Sequence, residues 1–422
     1  MTAPRDEVRA VVERTARDSY GRLLALLCAR SRDIAASEDA LADAFEAALH
    51  DWPRQGLPQN PPGWLLTVAR RRLLDQHRHS HVMAEAEAEL LLLADELGGD
   101  DVAAAAAVPD ERLRLLFVCA HPAIQPAARA PLMLQAVLGL DVARMAGAFL
   151  TAPATLSQRL VRAKAKVRAS GVAFEFPRAS ELAARLQDVL EAIYAAYGTG
   201  WDEVDGADAA RQGLTAEAVE LGRILCGLMP REPEPLGLLA LMLFCESRRS
   251  ARRGPDGGYV PLSEQDVSCW DEDALHEAEA SLRRAAAMGV PGAYQYEAAI
   301  QSAHTHRRLG AVVPAAALLA LHDARVALTP SLGARVSRAC ALGEAQGADA
   351  ALAALDAVHA EAPVQLDGYQ PWWAARAHWL ARRGDVEQAR DAYVRAMGLS
   401  ASRAVREYLA GAAARLSTPR PV

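Results

Sequence analysis

Three observations predict an all-α protein. Ala and Leu dominate a composition that is 51% hydrophobic but only 5% aromatic, and runs of strand-forming β-branched residues are few. Apolar residues return at helical spacing in segment after segment. Gly and Pro punctuate the intervals between those segments. With 422 residues, the chain is long enough for two or three domains with cores of their own.

The totals narrow the function classes. Lys and Arg number 46 against 53 Asp and Glu, a formal net charge of −7. Such a chain does not coat nucleic acid over its whole surface, yet a local cationic face remains open to it. Six cysteines (Cys28, Cys119, Cys226, Cys245, Cys269 and Cys340) are scattered without a CxxC pair, which suits reduced thiols in a cytoplasmic protein. The opening residues, MTAPRDEVRA, are charged and lack the apolar segment of a secretion signal. The longest apolar run, LGLLALMLFC at Leu236–Cys245, is about half of what a membrane span needs. A soluble, cytoplasmic protein without membrane contact is expected.

In chain order, DIAASEDALADAFEAALHDW predicts a helix with Ile34, Leu41, Phe45 and Leu49 on its apolar face. Asp39, Asp43 and Glu46 fall on the opposite face. These acids are unsuited to DNA and fit a basic protein partner. After the Pro-rich loop RQGLPQNPPG, Arg54 to Gly63, comes GWLLTVARRRLLDQHRH. Here Leu65, Val68, Ala69 and Leu73 form the buried side of a helix, and Trp64, Thr67, Arg71 and Arg78 project from the other. An aromatic among arginines suits an unpaired strand, since bases stack on the ring while cations hold the backbone. The competing interpretation has Trp64 half buried and the arginines merely solvated. An Ala- and acid-rich connector follows, containing LGGDDVAAAAAVPDE.

A short amphipathic segment, DVARMAGAFL, begins at Asp141 and precedes APATLSQRLVRAKAKVRAS, which carries five basic residues and no acid. On a helical wheel Leu156, Leu160, Ala163 and Val167 form a core stripe. Thr155, Arg159, Arg162 and Lys166 form a second stripe beside it, with Lys164 and Arg168 on the other flank. Pro153 suits the first turn, with Thr151 as the expected cap. Helix, tight turn, helix is the arrangement that lays its second helix in a DNA major groove. Thr155, Ser157 and Gln158 are then placed to reach base edges, with the arginines and lysines on phosphates. Further on, WWAARAHWLARRGDVEQARDAYVRAMGLS places Gly384 in a turn and Ala389, Tyr393 and Ala396 at the spacing of a tetratricopeptide second helix. ARVSRACALGEAQGADAALAALDAVHA repeats that rhythm less closely. A plain all-α domain with Ala-rich interfaces is the alternative.

The acidic-faced helix, the Pro-rich loop, GWLLTVARRRLLD, the connector and ATLSQRLVRAKAKVR together resemble regions 2 and 4 of extracytoplasmic-function (ECF) sigma factors. Those proteins are dissociable specificity subunits of bacterial RNA polymerase. DERLRLLFVCAHPAIQP and VRASGVAFEFP further resemble the subgroup with a long C-terminal TPR-like extension, as do PEPLGLLALMLFCESRRSAR, DGGY and LDGYQPWWAARAHWLARRGD. The resemblance implies region 2 over 1–82, a connector over 83–109, region 4 over 110–172 and the helical extension over 180–418. Asp39, Asp43 and Glu46 would then dock on the clamp of the polymerase's largest subunit. The 54–63 loop would capture a flipped base of the −10 element, the helix of Trp64 would track the opened strand, and the helix from Pro153 would read the −35 element. Two departures bear on promoter sequence: Arg71 stands where the family often has Asn, and Ser157–Gln158 where many relatives have Lys-Ser. The extension would regulate the sigma module in cis or contact polymerase, offering a surface for a protein or peptide partner.

No cofactor, metal or catalytic constellation is expected, and the chain is not read as an enzyme. HRHSH at His77–His81 continues a basic helix, CAHP at Cys119–Pro122 lacks a second ligand pair at zinc spacing, and PDGGY is a glycine turn without a phosphate-binding helix. A helix-turn-helix repressor fused to a TPR-like scaffold is the rival for the whole chain. It leaves the acidic helix and the GWLLTVARRR helix without a task.

Overall fold

A computed structural model describes residues 4–81, 110–149, 151–169, 177–201 and 209–416. Among these residues every regular element is a helix, apart from one isolated antiparallel bridge between Arg253 and Tyr259. The all-α expectation therefore holds. The chain forms two compact units, one from Met1–Gly200 with Ala210–Leu228, the other from Trp201–Ala209 with Met229–Val422.

The first unit opens with α1 (Arg5–Ser31), α2 (Ile34–Gln55) and α3 (Pro61–His81), which pack on one another. Arg32 turns the chain out of α1 in the left-handed conformation, and the Asp33 carboxylate caps α2 by accepting the Ala36 N–H at 3.1 Å. The buried face of α2 differs from the expected one. Ile34 and Leu41 are buried, but the rest of the face is Ser37, Ala40, Ala44, Ala48 and Trp52. Phe45 is half-buried, and Leu49 is 46% exposed. Small side chains let neighbouring helices approach closely, and that displaces the seam from the bulkier residues. Asn60 starts α3, its side chain accepting the Gly63 N–H at 3.0 Å. Leu65, Ala69 and Leu73 are buried as expected, while Val68 is half-buried.

The second block consists of α4 (Glu111–Cys119), α5 (Pro126–Leu138), α6 (Val142–Ala148) and α7 (Pro153–Ala169). Asp110 caps α4 through the Arg112 N–H at 2.8 Å and also holds the Arg112 guanidinium. Burial works to raise the pKa of Asp110, but the Arg112 hydrogen bonds and charge outweigh it and hold the carboxyl below its usual range. α7 buries Leu156, Leu160, Ala163 and Val167 and packs on α5 and α6. Thr151 is not its cap: the helix begins at Pro153, and the Thr151 hydroxyl donates to the Phe149 carbonyl at 2.9 Å.

This compact unit continues past residue 172. α8 (Ala179–Trp201) and α9 (Ala209–Leu228) are tied to the second block by Arg129–Asp188 at 2.9 Å and by Arg112–Glu217. The Arg185 guanidinium adds a hydrogen bond to the Phe117 carbonyl at 3.1 Å.

The second unit is built around α10 (Pro233–Glu246), buried on all sides from Leu236 to Cys245. The Glu234 carboxylate accepts the N–H groups of Tyr294 and Gln295, at 3.0 and 3.2 Å, where α12 (Ala293–Arg308) begins. α11 (Glu272–Ala287) packs between these in sequence, and the helices α13 (Ala315–Leu328), α14 (Leu332–Gln346) and α15 (Ala348–Glu361) follow. The short α16 (Pro363–Asp367) leads to α17 (Gln370–Arg383), α18 (Val386–Leu399) and α19 (Arg403–Arg415). Gly384 adopts φ 99° between α17 and α18, a left-handed turn that a side chain would strain. Ala389, Tyr393 and Ala396 are buried on α18. In the DGGY segment Asp256 accepts the Gly258 N–H at 3.0 Å, and Tyr259 meets the edge of Tyr408 with ring centroids 5.4 Å apart.

His322 on α13 is 8% exposed. Its pKa is pushed down to about 4, first by burial and then by His304 and Arg338. The ring is therefore neutral in the folded unit at pH 7, whereas in the unfolded chain it titrates near the ordinary value of about 6.5. In that window the unfolded state binds more protons, so stability falls as pH drops from about 6.5 towards 4. The unfolding free energy of the second unit at pH 5 should lie about 2 kcal/mol below its pH 7 value. His322→Leu should flatten this slope, as read by chemical denaturation across the pH range.

Candidate nucleic-acid interface

Two cationic helix faces stand in the first unit. On α3, Arg70, Arg71 and Arg72 are exposed and make no hydrogen bond or ion pair among the described residues. Thr67 is exposed too, though its hydroxyl already donates to the Gly63 carbonyl one turn back, at 2.9 Å. Trp64 does not project freely. It is half-buried, and its ring meets that of buried Trp52 edge-on with centroids 5.4 Å apart. Trp64 therefore carries part of the α2–α3 packing and is only partly open to solvent. The side chain of Arg78 lies outside the described residues. Trp52, one turn before the end of α2, is the residue sequence reasoning overlooked here. Its signal was an aromatic at the close of an otherwise Ala-lined face.

The loop before α3 is shorter than expected. Arg54 and Gln55 complete the last turn of α2, and Pro61–Gly63 belong to the first turn of α3, leaving residues 56–60 as the connection. Gln59 and Asn60 are exposed within it.

On α7, Thr155, Ser157, Gln158, Arg162 and Lys166 are exposed and Arg159 is half-buried, over a base of buried Leu156 and Leu160. The predicted stripe thus faces solvent, because the leucines on the other face are locked into α5 and α6. Arg162 donates to the Gln158 side chain at 3.3 Å, so these two candidates hold each other in place. Lys164 is diverted. Its ammonium meets Glu38 of α2 at 2.5 Å, with 15% and 18% of the two side chains exposed. Sequence spacing had set Lys164 on the flank of α7 and gave no sign of this long-range partner.

The acidic face of α2 is open. Asp39 and Glu46 are exposed and Asp43 is half-buried, and none of the three forms a hydrogen bond or ion pair among the described residues. Groups of His, Cys, Asp and Glu able to hold a metal ion are absent among the described residues. Nor is any described helix long and apolar enough to cross a membrane.

A helical bundle with one acidic and two cationic helix faces, followed by a further helical unit, defines a class that comparison with known proteins makes specific. Residues 16–81 match sigma-70 region 2, and residues 185–286 match a family of unknown function, DUF6596. An uncharacterized protein of Rhizobium meliloti (strain 1021) is 35% identical over 387 residues, 90% of this chain and 89% of that protein. The chain belongs to one family with that protein, and the region 2 match over residues 16–81 supports a sigma-70 family factor. Its role accordingly lies in transcription initiation, with RNA polymerase core and promoter DNA as partners.

Half-buried Trp64 and exposed Arg71 differ in what they contribute to stability. Trp64→Ala should cost about 2 kcal/mol of stability by removing the Trp52 contact. Arg71→Ala should stay within about 0.5 kcal/mol of the parent. Urea denaturation of both variants checks this.

Proposed function

We propose that this chain is an ECF-type sigma factor that directs core polymerase to specific promoters, with a TPR-like C-terminal extension. The observation that carries this reading is the contrast within one unit. An acidic helix face without ion-pair partners among the described residues sits on α2, and cationic faces sit on α3 and α7, each above a buried apolar stripe. Asp39, Asp43 and Glu46 supply the contact to the clamp of the largest polymerase subunit. Thr67 and Arg71, with Arg78 from the same helix, hold the opened strand of the −10 element, and the exposed part of Trp64 lies beside it. Thr155, Ser157 and Gln158 meet base edges of the −35 element, while Arg159, Arg162 and Lys166 hold its phosphates. The chain acts in the cytoplasm and needs no active site or cofactor, since polymerase supplies the catalysis.

Melting is favoured because capture of an unstacked base offsets part of a cost of a few kcal/mol per nucleotide. The division into 1–82, 83–109, 110–172 and 180–418 follows these tasks. The helix pair around Gly384 supports the TPR-like description of the extension, which would take up a protein or peptide partner and so regulate or support initiation. A repressor built on α6 and α7 alone would leave region 2 and the acidic face of α2 idle.

Stoichiometric co-purification with core polymerase and promoter-dependent initiation in a reconstituted assay test the reading, and a chain that does neither is not a sigma factor. Arg162→Ala with Lys166→Ala should weaken promoter binding by holoenzyme across sequences. The slope of log K against log salt should also become shallower by about one for each phosphate no longer neutralised. Gln158→Ala should instead change sequence preference with little change in that slope.

A further inference from the structure

Within the second unit, polar side chains buried without a partner gather where the segment 247–271 folds over α10 and α12. The Asp271 N–H pins this segment to the end of α10 by donating to the Ser247 carbonyl at 2.7 Å. The Arg308 guanidinium pins it to α12 by donating to the Gln265 carbonyl at 2.6 Å. Arg248, just past α10, is 8% exposed and reaches α12 by donating from Nη2 to Gln301 Oε1 at 2.7 Å. Gln301, Thr305 and Arg308 follow one another at helical spacing, so they share one face of α12.

Four buried atoms here have no protein partner: Arg248 Nη1, Thr305 Oγ1, Arg308 Nε and Gln265 Oε1. Thr305 and Gln265 are themselves almost fully buried. Buried polar groups are normally satisfied by protein, by water or by a bound molecule. Neither Arg248 nor Arg308 forms an ion pair among the described residues. Water would supply hydrogen bonds but would leave the buried Arg248 cation uncompensated, which is the larger deficit. An anion removes both. The local field agrees with this. Burial first, then Arg248 and Arg307, hold the imidazole of His304, next to Thr305, below its usual pKa, with Glu344 of α14 opposing.

The fourth atom narrows the choice of anion. Three of the four are donors, but Gln265 Oε1 accepts. Its amide cannot turn round without loss, because Nε2 already donates to the Val260 carbonyl at 3.3 Å. The ligand must therefore bring negative charge and also a proton of its own. Inorganic phosphate keeps a proton at pH 7, whereas sulfate has none. We propose that this place is a phosphate site of the second unit. Arg248 and Arg308 supply the charge, Thr305 donates its hydroxyl, and Gln265 Oε1 accepts the proton that the phosphate retains. The proposal goes beyond the transcription reading and does not depend on it.

The test is titration calorimetry of the full chain at pH 7 in a chloride buffer free of phosphate and sulfate. Inorganic phosphate should bind, and sulfate should bind about tenfold more weakly for lack of the proton. Stability against urea should rise with phosphate concentration, as linkage requires. Methyl phosphate separates two sources of the ligand. Binding as tight as that of phosphate assigns the site to a small phosphate ester, and weaker binding assigns it to the free ion. Arg248→Met should abolish phosphate binding yet leave the ion-free chain at least as stable as the parent, because an uncompensated buried cation is gone. An arginine with only a structural task would lower that stability, which would overturn the proposal. Thr305→Val should weaken phosphate about tenfold with helicity kept, and it decides the matter where Arg248→Met fails to fold. No phosphate binding by the parent chain overturns the site, as does binding that Thr305→Val leaves unchanged. Sulfate binding as tightly as phosphate overturns the role of Gln265 and the choice of phosphate with it.

Discussion

Close helix packing through small side chains is the constraint on which the remaining architecture depends. α2 is buried through Ser37, Ala40, Ala44 and Ala48, α3 meets it at Ala69, and α18 is seated through Ala389 and Ala396. Where a side chain would still be too large, Gly21 takes its place against α5. Once these seams are closed, each helix has one orientation about its axis. Its charged residues must then emerge on a fixed face. The acidic face of α2 and the cationic face of α7 are consequences of that locking.

The same packing explains how an acidic chain can serve a DNA-dependent process. Part of its positive charge lies where α3 and α7 turn arginines and lysines towards solvent, with Arg162 donating to Gln158 one turn away on its own helix. Several other arginines are committed to structure: Arg112 joins Asp110 to Glu217, Arg129 meets Asp188, and Arg325 meets Glu297. Such pairs carry cations inward and hold helices in register. Lys164 sits between these two groups, a basic residue of the cationic helix α7 committed to an internal carboxylate.

Most helices and their buried stripes were legible in the sequence because a helix writes its own periodicity. Leu156, Leu160, Ala163 and Val167 are buried as the wheel predicts, and so are Leu65, Ala69 and Leu73. Phe45 and Leu49 misled for a physical reason. Hydrophobicity marks residues able to be buried, whereas the seam of α2 selected those small enough for close approach. Trp64 misled similarly, since its exposure depends on Trp52, which lies earlier in the chain and across a turn.

The sequence by itself determined the all-α class, the helix faces and the order of acidic and cationic segments, because each depends on residues within a few turns of one another. Tertiary structure alone decided which cations stay in solvent, that Trp64 shares its ring with Trp52, and that α8 and α9 belong to the first unit through Arg129–Asp188 and Arg112–Glu217. It also decided that Gly21 receives the Val137 carbonyl. These are pairings between residues far apart along the chain. Periodicity carries no information about them, since it states which face of a helix is apolar and not which helix will cover it.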